Sequence, residues 1–238
     1  MSLNKHIISY GERQIEFAIR YSSRKTLAIN VLPDMTVEVV APHNTENNVI
    51  YEKVRKKARW ILKQIIFFQQ YHPKTPERKY VSGETHRYLG RQYRLRVIQG
   101  EYEKVNLIHG YITIKTRNPM CAKNTQKLLE NWFLTRAKIK YKERLDYCIT
   151  QFPNHLKVIP AGMTIRKMTN RWGSMTMNGR IILNRRLIQA PTPCIDYVII
   201  HELCHLIYSH HGPEFWRLLS KVLPEWEKRK NKLEEVMV

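Results

Sequence analysis

The stretch His201-Glu202-Leu203-Cys204-His205-Leu206-Ile207-Tyr208-Ser209-His210-His211 decides how the rest of the chain is read. His201 and His205 are four apart, so on a helix both imidazoles share one face and can reach a single ion. Glu202 follows the first histidine, placed to take a proton from a metal-activated water without itself coordinating the metal. The preceding run, Ile195-Asp196-Tyr197-Val198-Ile199-Ile200, is apolar enough to be a buried helix. The pattern is H-E-x-x-H, in which zinc lowers the pKa of its water toward about 7 and Glu202 serves as general base.

A catalytic zinc needs a third protein ligand and an open fourth position. His210 and His211 are the local candidates. His211 is preferred, because six residues past His205 is the spacing that closes the site in other zincins, and Phe215-Trp216 follows in register. Tyr208 stands where the longer zincin pattern has glycine, so the helix is expected to run through Tyr208 and break near Ser209-His210. One zinc per chain is the expectation. Cys204 lies inside the motif but points off the ligand face, and reads as a small core residue.

Outward from that stretch, 238 residues with 43% hydrophobic and 26% charged content describe a globular chain able to bury a real core. No apolar run is long enough to span a membrane and the N-terminus carries no signal-like segment, so a cytoplasmic protein is expected. Cys121, Cys148, Cys194 and Cys204 form no C-x-x-C pair and read as reduced thiols. The net charge of +21 suits an anionic partner, nucleic acid or nucleotide, as well as a solvated basic surface.

Alternating apolar residues predict strands around Ile15-Phe17-Ile19, Leu27-Ile29-Val31 and Val37-Val39, with turns at Tyr21–Arg24 and Pro33-Asp34. A helix follows from Thr45 to about Gln70, with Ile50, Val54, Trp60, Ile61 and Ile65 as its core face. It carries Lys53, Arg55, Lys56, Lys57, Arg59 and Lys63, a solvated face or a phosphate-tracking one. His72 to Pro76 reads as a loop. Strands return around Tyr88-Leu89, Tyr93–Val97, Val105-Leu107 and Tyr111–Ile114, where tyrosines among arginines suit either ordinary strands or a base-stacking platform.

A helix is expected over about 125–151, its stripe running from Leu128 through Trp132, Phe133, Ala137, Tyr141 and Leu145 to Cys148. Strand-like pieces follow at Met163–Lys167, near Trp172, and at Arg180–Asn184, with Asn178-Gly179 as a hairpin turn. Pro213 and Pro224 open two short helices. No internal repeat is legible. The fold class is therefore α+β: a β-rich N-terminal region, residues 1–118, then a catalytic region, 119–238, with a hairpin and the metal helix. One continuous domain over about residues 15–235 is the alternative. The 171–183 hairpin is the candidate edge to which an extended peptide adds through its backbone.

On Arg171-Trp172-Gly173-Ser174, Ile182–Leu187, Ile195–Val198, the His201–His205 motif and His211 with Phe215-Trp216, the chain resembles the YgjP-like family of zinc metallohydrolases. These are relatives of the SprT-type and WLM-type minimal zincins. Tyr21–Lys25 and Gly83–Tyr93 resemble the family's N-terminal portion. The resemblance implies zinc ligands His201, His205 and His211, Glu202 as general base, and a minimal zincin-like lobe in the C-terminal half. Met175 departs from it, standing where many members have cysteine.

Three functions compete on these grounds. The first is a zinc peptidase, with Arg171, Trp172, Asn184 and Tyr208 as candidate substrate-binding residues beside the motif. The second is a metal-dependent nucleoside triphosphate pyrophosphohydrolase acting on a nucleotide such as UTP, a substrate the resemblance suggests. No glycine-rich phosphate loop accompanies it. The third is a basic nucleic-acid-binding module with a structural zinc, which the intact Glu202 argues against.

Overall fold

The computed structural model describes residues 5–24, 26–32, 34–69, 78–169 and 171–237. Lys25, Pro33 of the expected turn, Gln70 and the expected loop at 72–76 lie outside the described residues. Among the described residues no helix is long and apolar enough to cross a membrane. The chain divides into two compact units, residues 1–75 and 76–237.

The first unit is a four-stranded sheet and one helix. Its strands are β1 (Lys5–Tyr10), β2 (Arg13–Ser22), β3 (Ala28–Val31) and β4 (Val37–Pro42), in spatial order β1-β2-β4-β3. β2 and β4 are parallel, and both outer strands run antiparallel to their neighbours. Alternation puts Ile15 and Phe17 of β2 and Val37, Val39 and Ala41 of β4 on one face. There they meet Ile50, Val54, Ala58 and Ile61 of α1 (Asn47–Gln69). Ile65 joins at the margin, but Trp60 does not: it is 42% exposed. Ile50, Val54, Ala58, Ile61 and Ile65 form one stripe along the helix, and at about 100° per residue Trp60 falls roughly 120° around from its middle.

The second unit opens with the same motif. β5 (Thr85–Tyr88), β6 (Arg91–Gln99), β7 (Lys104–Ile108) and β8 (Tyr111–Thr116) take the order β5-β6-β8-β7. Again the central pair is parallel and both outer pairs are antiparallel. The long helix α2 (Ala122–Ile149) follows. The first hairpins agree in detail: Tyr10 pairs with Arg13 across a two-residue turn, and Tyr88 with Arg91. Each turn has a glycine at positive φ, Gly11 and Gly90, and each second strand begins Arg-Gln. A repeat that sequence inspection does not show is thus present as repeated topology.

Leu95, Ile112 and Ile114 meet Leu129, Trp132, Phe133 and Ala137 of α2. The tyrosines considered as a stacking platform pack here too, Tyr88 with its ring 5.0 Å from that of Trp132. The rest of α2 faces the C-terminal half. Tyr141 Oη donates to the Asn184 carbonyl at 3.0 Å, and Arg144 holds Asp196 of the next helix through two nitrogens at 2.7 and 2.9 Å. That half contains β9 (Gly162–Arg166), β10 (Gly173–Met175) and β11 (Arg180–Asn184) in order β10-β11-β9. A short 3₁₀ helix (Arg185–Gln189) and α3 (Thr192–Cys204), α4 (Pro213–Val222) and α5 (Trp226–Met237) complete it. The hairpin through Asn178-Gly179 pairs β10 with β11, leaving β10 at the edge.

Candidate metal centre and active site

α3 is buried on nearly every side because its sequence is apolar on nearly every side. Ile195, Val198, Ile199, Ile200 and Leu203 are all under 5% exposed. Its polar residues are therefore the costly ones, and each has a defined setting. Asp196 is held by Arg144. Glu202 and the histidines open into one cleft of about 740 Å³.

The helix does not run through Tyr208. It ends at Cys204, with His205 as its C-cap and a tighter turn carrying the chain through Ile207. This early ending lets the chain double back and brings His211 to the face that carries His201 and His205. His201 Nε2 and His211 Nε2 lie 3.0 Å apart, and one nitrogen from each of His201, His205 and His211 falls within 4.8 Å of the others. His210 is not in that group. His205 Nδ1 is 3.0 Å from the Tyr208 carbonyl, so its other nitrogen is the one free for the cluster.

Aromatic rings hold this arrangement. Phe215, fully buried, lies with its ring 4.6–5.0 Å from all three imidazoles. Trp216 stacks on His211 at 5.5 Å and donates its indole N–H to the His211 carbonyl at 3.1 Å. Trp226 of α5 stacks on Trp216 at 4.9 Å. Pro213 and Gly212 start α4 at the place that sets Phe215 and Trp216 against the histidines.

Burial, helped by repulsion from His205, His211 and Lys230, holds the His201 imidazole down to about 3. Its Nδ1 is buried without a hydrogen-bond partner among the described residues. Burial, with His205 and His210, also lowers His211. Glu202 moves the other way. Burial lifts its carboxyl to about 7, opposed by the Met175 backbone N–H and the Arg171 guanidinium. Burial raises the Cys204 thiol to about 12, which suits a core residue.

Gly173 is a site residue that motif reading passed over. A Cβ there would stand 2.7 Å from both Cγ and Oε1 of Glu202 and 2.9 Å from Val198 Cγ1. Only glycine lets β10 run this close to the carboxylate. The cleft also takes a wall from α5, where Lys230, Leu233 and Glu234 face it. No spacing rule links residues so far apart in sequence to the motif.

Of the four candidate substrate-binding residues, Arg171 and Trp172 line the cleft. Asn184 is 2% exposed, and its amide donates to the carbonyls of Met168 and Arg171 at 2.8 and 2.9 Å. It latches the Arg171 loop instead of lining the cleft. Tyr208 enters through its backbone carbonyl on His205.

No curated protein matches this chain. Among solved structures, the metallopeptidase zymogen of Pyrococcus abyssi abylysin is similar. It is 24% identical, covers 37% of this chain and 87% of its own, and has a TM-score of 0.33. The model of the YgjP-like family, described as a metallopeptidase domain, matches residues 25–236. With that match spanning nearly the whole sequence, the chain belongs to the YgjP-like family of metallopeptidase domains, and so to the metal-dependent hydrolases.

Proposed function

We propose that the chain is a zinc-dependent peptidase in which His201, His205 and His211 hold one zinc and Glu202 is the general base. The convergence of three imidazoles beside a buried carboxylate in a single cleft carries this reading. The donor set fits the ion. Imidazole nitrogens bind zinc at about 2.0–2.1 Å, which puts two of them about 3.4 Å apart in a tetrahedral set. The nitrogens here are already gathered at comparable separations. When bound, zinc supplies Lewis acidity to a carbonyl and makes water a better nucleophile at neutral pH.

The protein's own groups supply the rest. His201, held down to about 3, is neutral at pH 7 and keeps its lone pair. His205 Nδ1–H donates to the Tyr208 carbonyl and so orients that ring, as ligand histidines are commonly oriented. Glu202, near 7, can both accept a proton at its carboxylate and pass it to a leaving amine. Met175 N–H and the absent side chain of Gly173 aim it. An extended peptide lying along the free edge of β10 would meet these groups through its backbone, and Arg171 would lie beside it. In this reading the zincin-like lobe is residues 119–238.

The test pairs metal analysis with turnover. About one zinc per chain is expected in the wild type and none in His205→Ala. Glu202→Gln should keep the zinc and lose peptide cleavage. A protein that takes up no metal, or a Glu202→Gln preparation that cleaves as well as the wild type, overturns the assignment.

A further inference from the structure

We infer that the outer face of α1 is a binding surface for single-stranded nucleic acid, separate from the hydrolytic cleft. Lys53, Arg55, Lys56, Lys57, Arg59 and Lys63 are all exposed, within about 15 Å of helix, against one acid on the same helix, Glu52. None of the six makes an ion pair or a side-chain hydrogen bond among the described residues. On α2 and α5 some exposed lysines are matched three or four residues away, Lys142 with Asp146, Lys228 with Glu225 and Lys232 with Glu235, while Lys123, Lys127 and Lys138 of α2 are not. On the sheet beside α1, Lys5 is matched with Glu16 and Arg20 with Glu38. On α1 these six cations stand within about three turns of helix with a single acid, so they repel one another and favour a polyanion.

The repeated topology sharpens the point. α2, in the equivalent place, spends its far side on α3 through Arg144 and on β11 through Tyr141. The corresponding face of α1 is solvent-exposed.

Trp60 selects the partner. It stands 42% exposed among the lysines and arginines, a flat ring on which a base can stack while the cations follow phosphates. A lipid surface would need an apolar face to bury, and that face of α1 (Ile50, Val54, Ala58 and Ile61) is already used by the sheet.

The experiment measures anisotropy of a labelled oligothymidylate with the full chain over a salt series. Single strands lose affinity with a log–log slope of about −0.7 per phosphate neutralised. Lys56→Glu, Arg59→Glu and Lys63→Glu together should weaken binding about 100-fold or more and reduce the slope by about two. The neutral set Lys56→Gln, Arg59→Gln and Lys63→Gln should weaken it about tenfold, and serves if the reversal variant does not fold. Trp60→Ala should cost about tenfold with the slope unchanged, and should leave duplex binding alone. Unaltered thermal melting and zinc content show that the variants are folded. Unchanged affinity in the folded charge variants overturns the inference. So does indifference to Trp60→Ala, or preferential binding to phosphatidylserine vesicles over the oligonucleotide.

Discussion

α1 and α2 close the same four-stranded motif, and they differ in what lies on their second face. α2 has a buried stripe that continues past the sheet, with Tyr141, Leu145 and Cys148 in the core shared with α3. α1 has one apolar face, and its other side is a field of cations. Topology alone therefore does not assign a role. The residues on the helix side away from the sheet do. On α2 a charge facing inward must be matched, because an unpaired ion out of water costs several kcal/mol. On α1 each charge is cheap singly, and only their crowding without acids carries meaning.

The comparison can be broken most forcefully at the cleft beside α3, the helix that α2 packs against. Glu202→Gln should lower peptide turnover by about 10²–10⁴-fold with zinc retained, while the α1 charge variants leave turnover on a short neutral peptide unchanged. Equal loss from the α1 variants would show that the two repeats are not functionally separate. Next is the clamp between α2 and α3. Asp196→Ala strands Arg144, whose side chain is only 16% exposed, and should cost about 3–5 kcal/mol of stability by denaturant unfolding.

A pH series on metal-free protein probes the same region. His201 has a folded value near 3, below its ordinary 6.5, so the native state holds fewer protons between those values. Its contribution is complete above about pH 6.5 and should be lost as pH falls toward 3, on the order of a few kcal/mol. A melting temperature flat over that window would contradict the buried, neutral imidazole. Gly173→Ala should follow, at about 1–3 kcal/mol from overpacking against Glu202, with turnover falling more than stability. Smallest of all, Lys57→Ala on α1 should move the melting temperature by less than about 2 °C. A large loss there would mean the basic face is structural.

Much of the site was legible because its signals are local. Four-residue spacing puts His201 and His205 on one helix face, and an apolar run makes that helix buried, whatever surrounds it. The alternation in β2, β4, β6 and β8 was equally readable, as was the hairpin turn before β11. β1 was not, since Ile8 is its one buried residue and leaves no alternation to read. Nor was the helix end at Cys204, because the Tyr208 carbonyl that His205 meets belongs to a turn no propensity specifies.

By itself the sequence determined most of the element types, the kinds of residue able to hold a metal and the excess of positive charge, all of which follow from spacing and composition along the chain. Only the tertiary structure decided which strands pair and that the pairing occurs twice, since alternation marks a strand without naming its neighbour. It alone turned His211 toward the motif, set Gly173 against Glu202 and α5 across the cleft. It also placed Trp60 outside the core. These are contacts between residues distant in sequence or differing by one step around a helix, and close packing chooses among them.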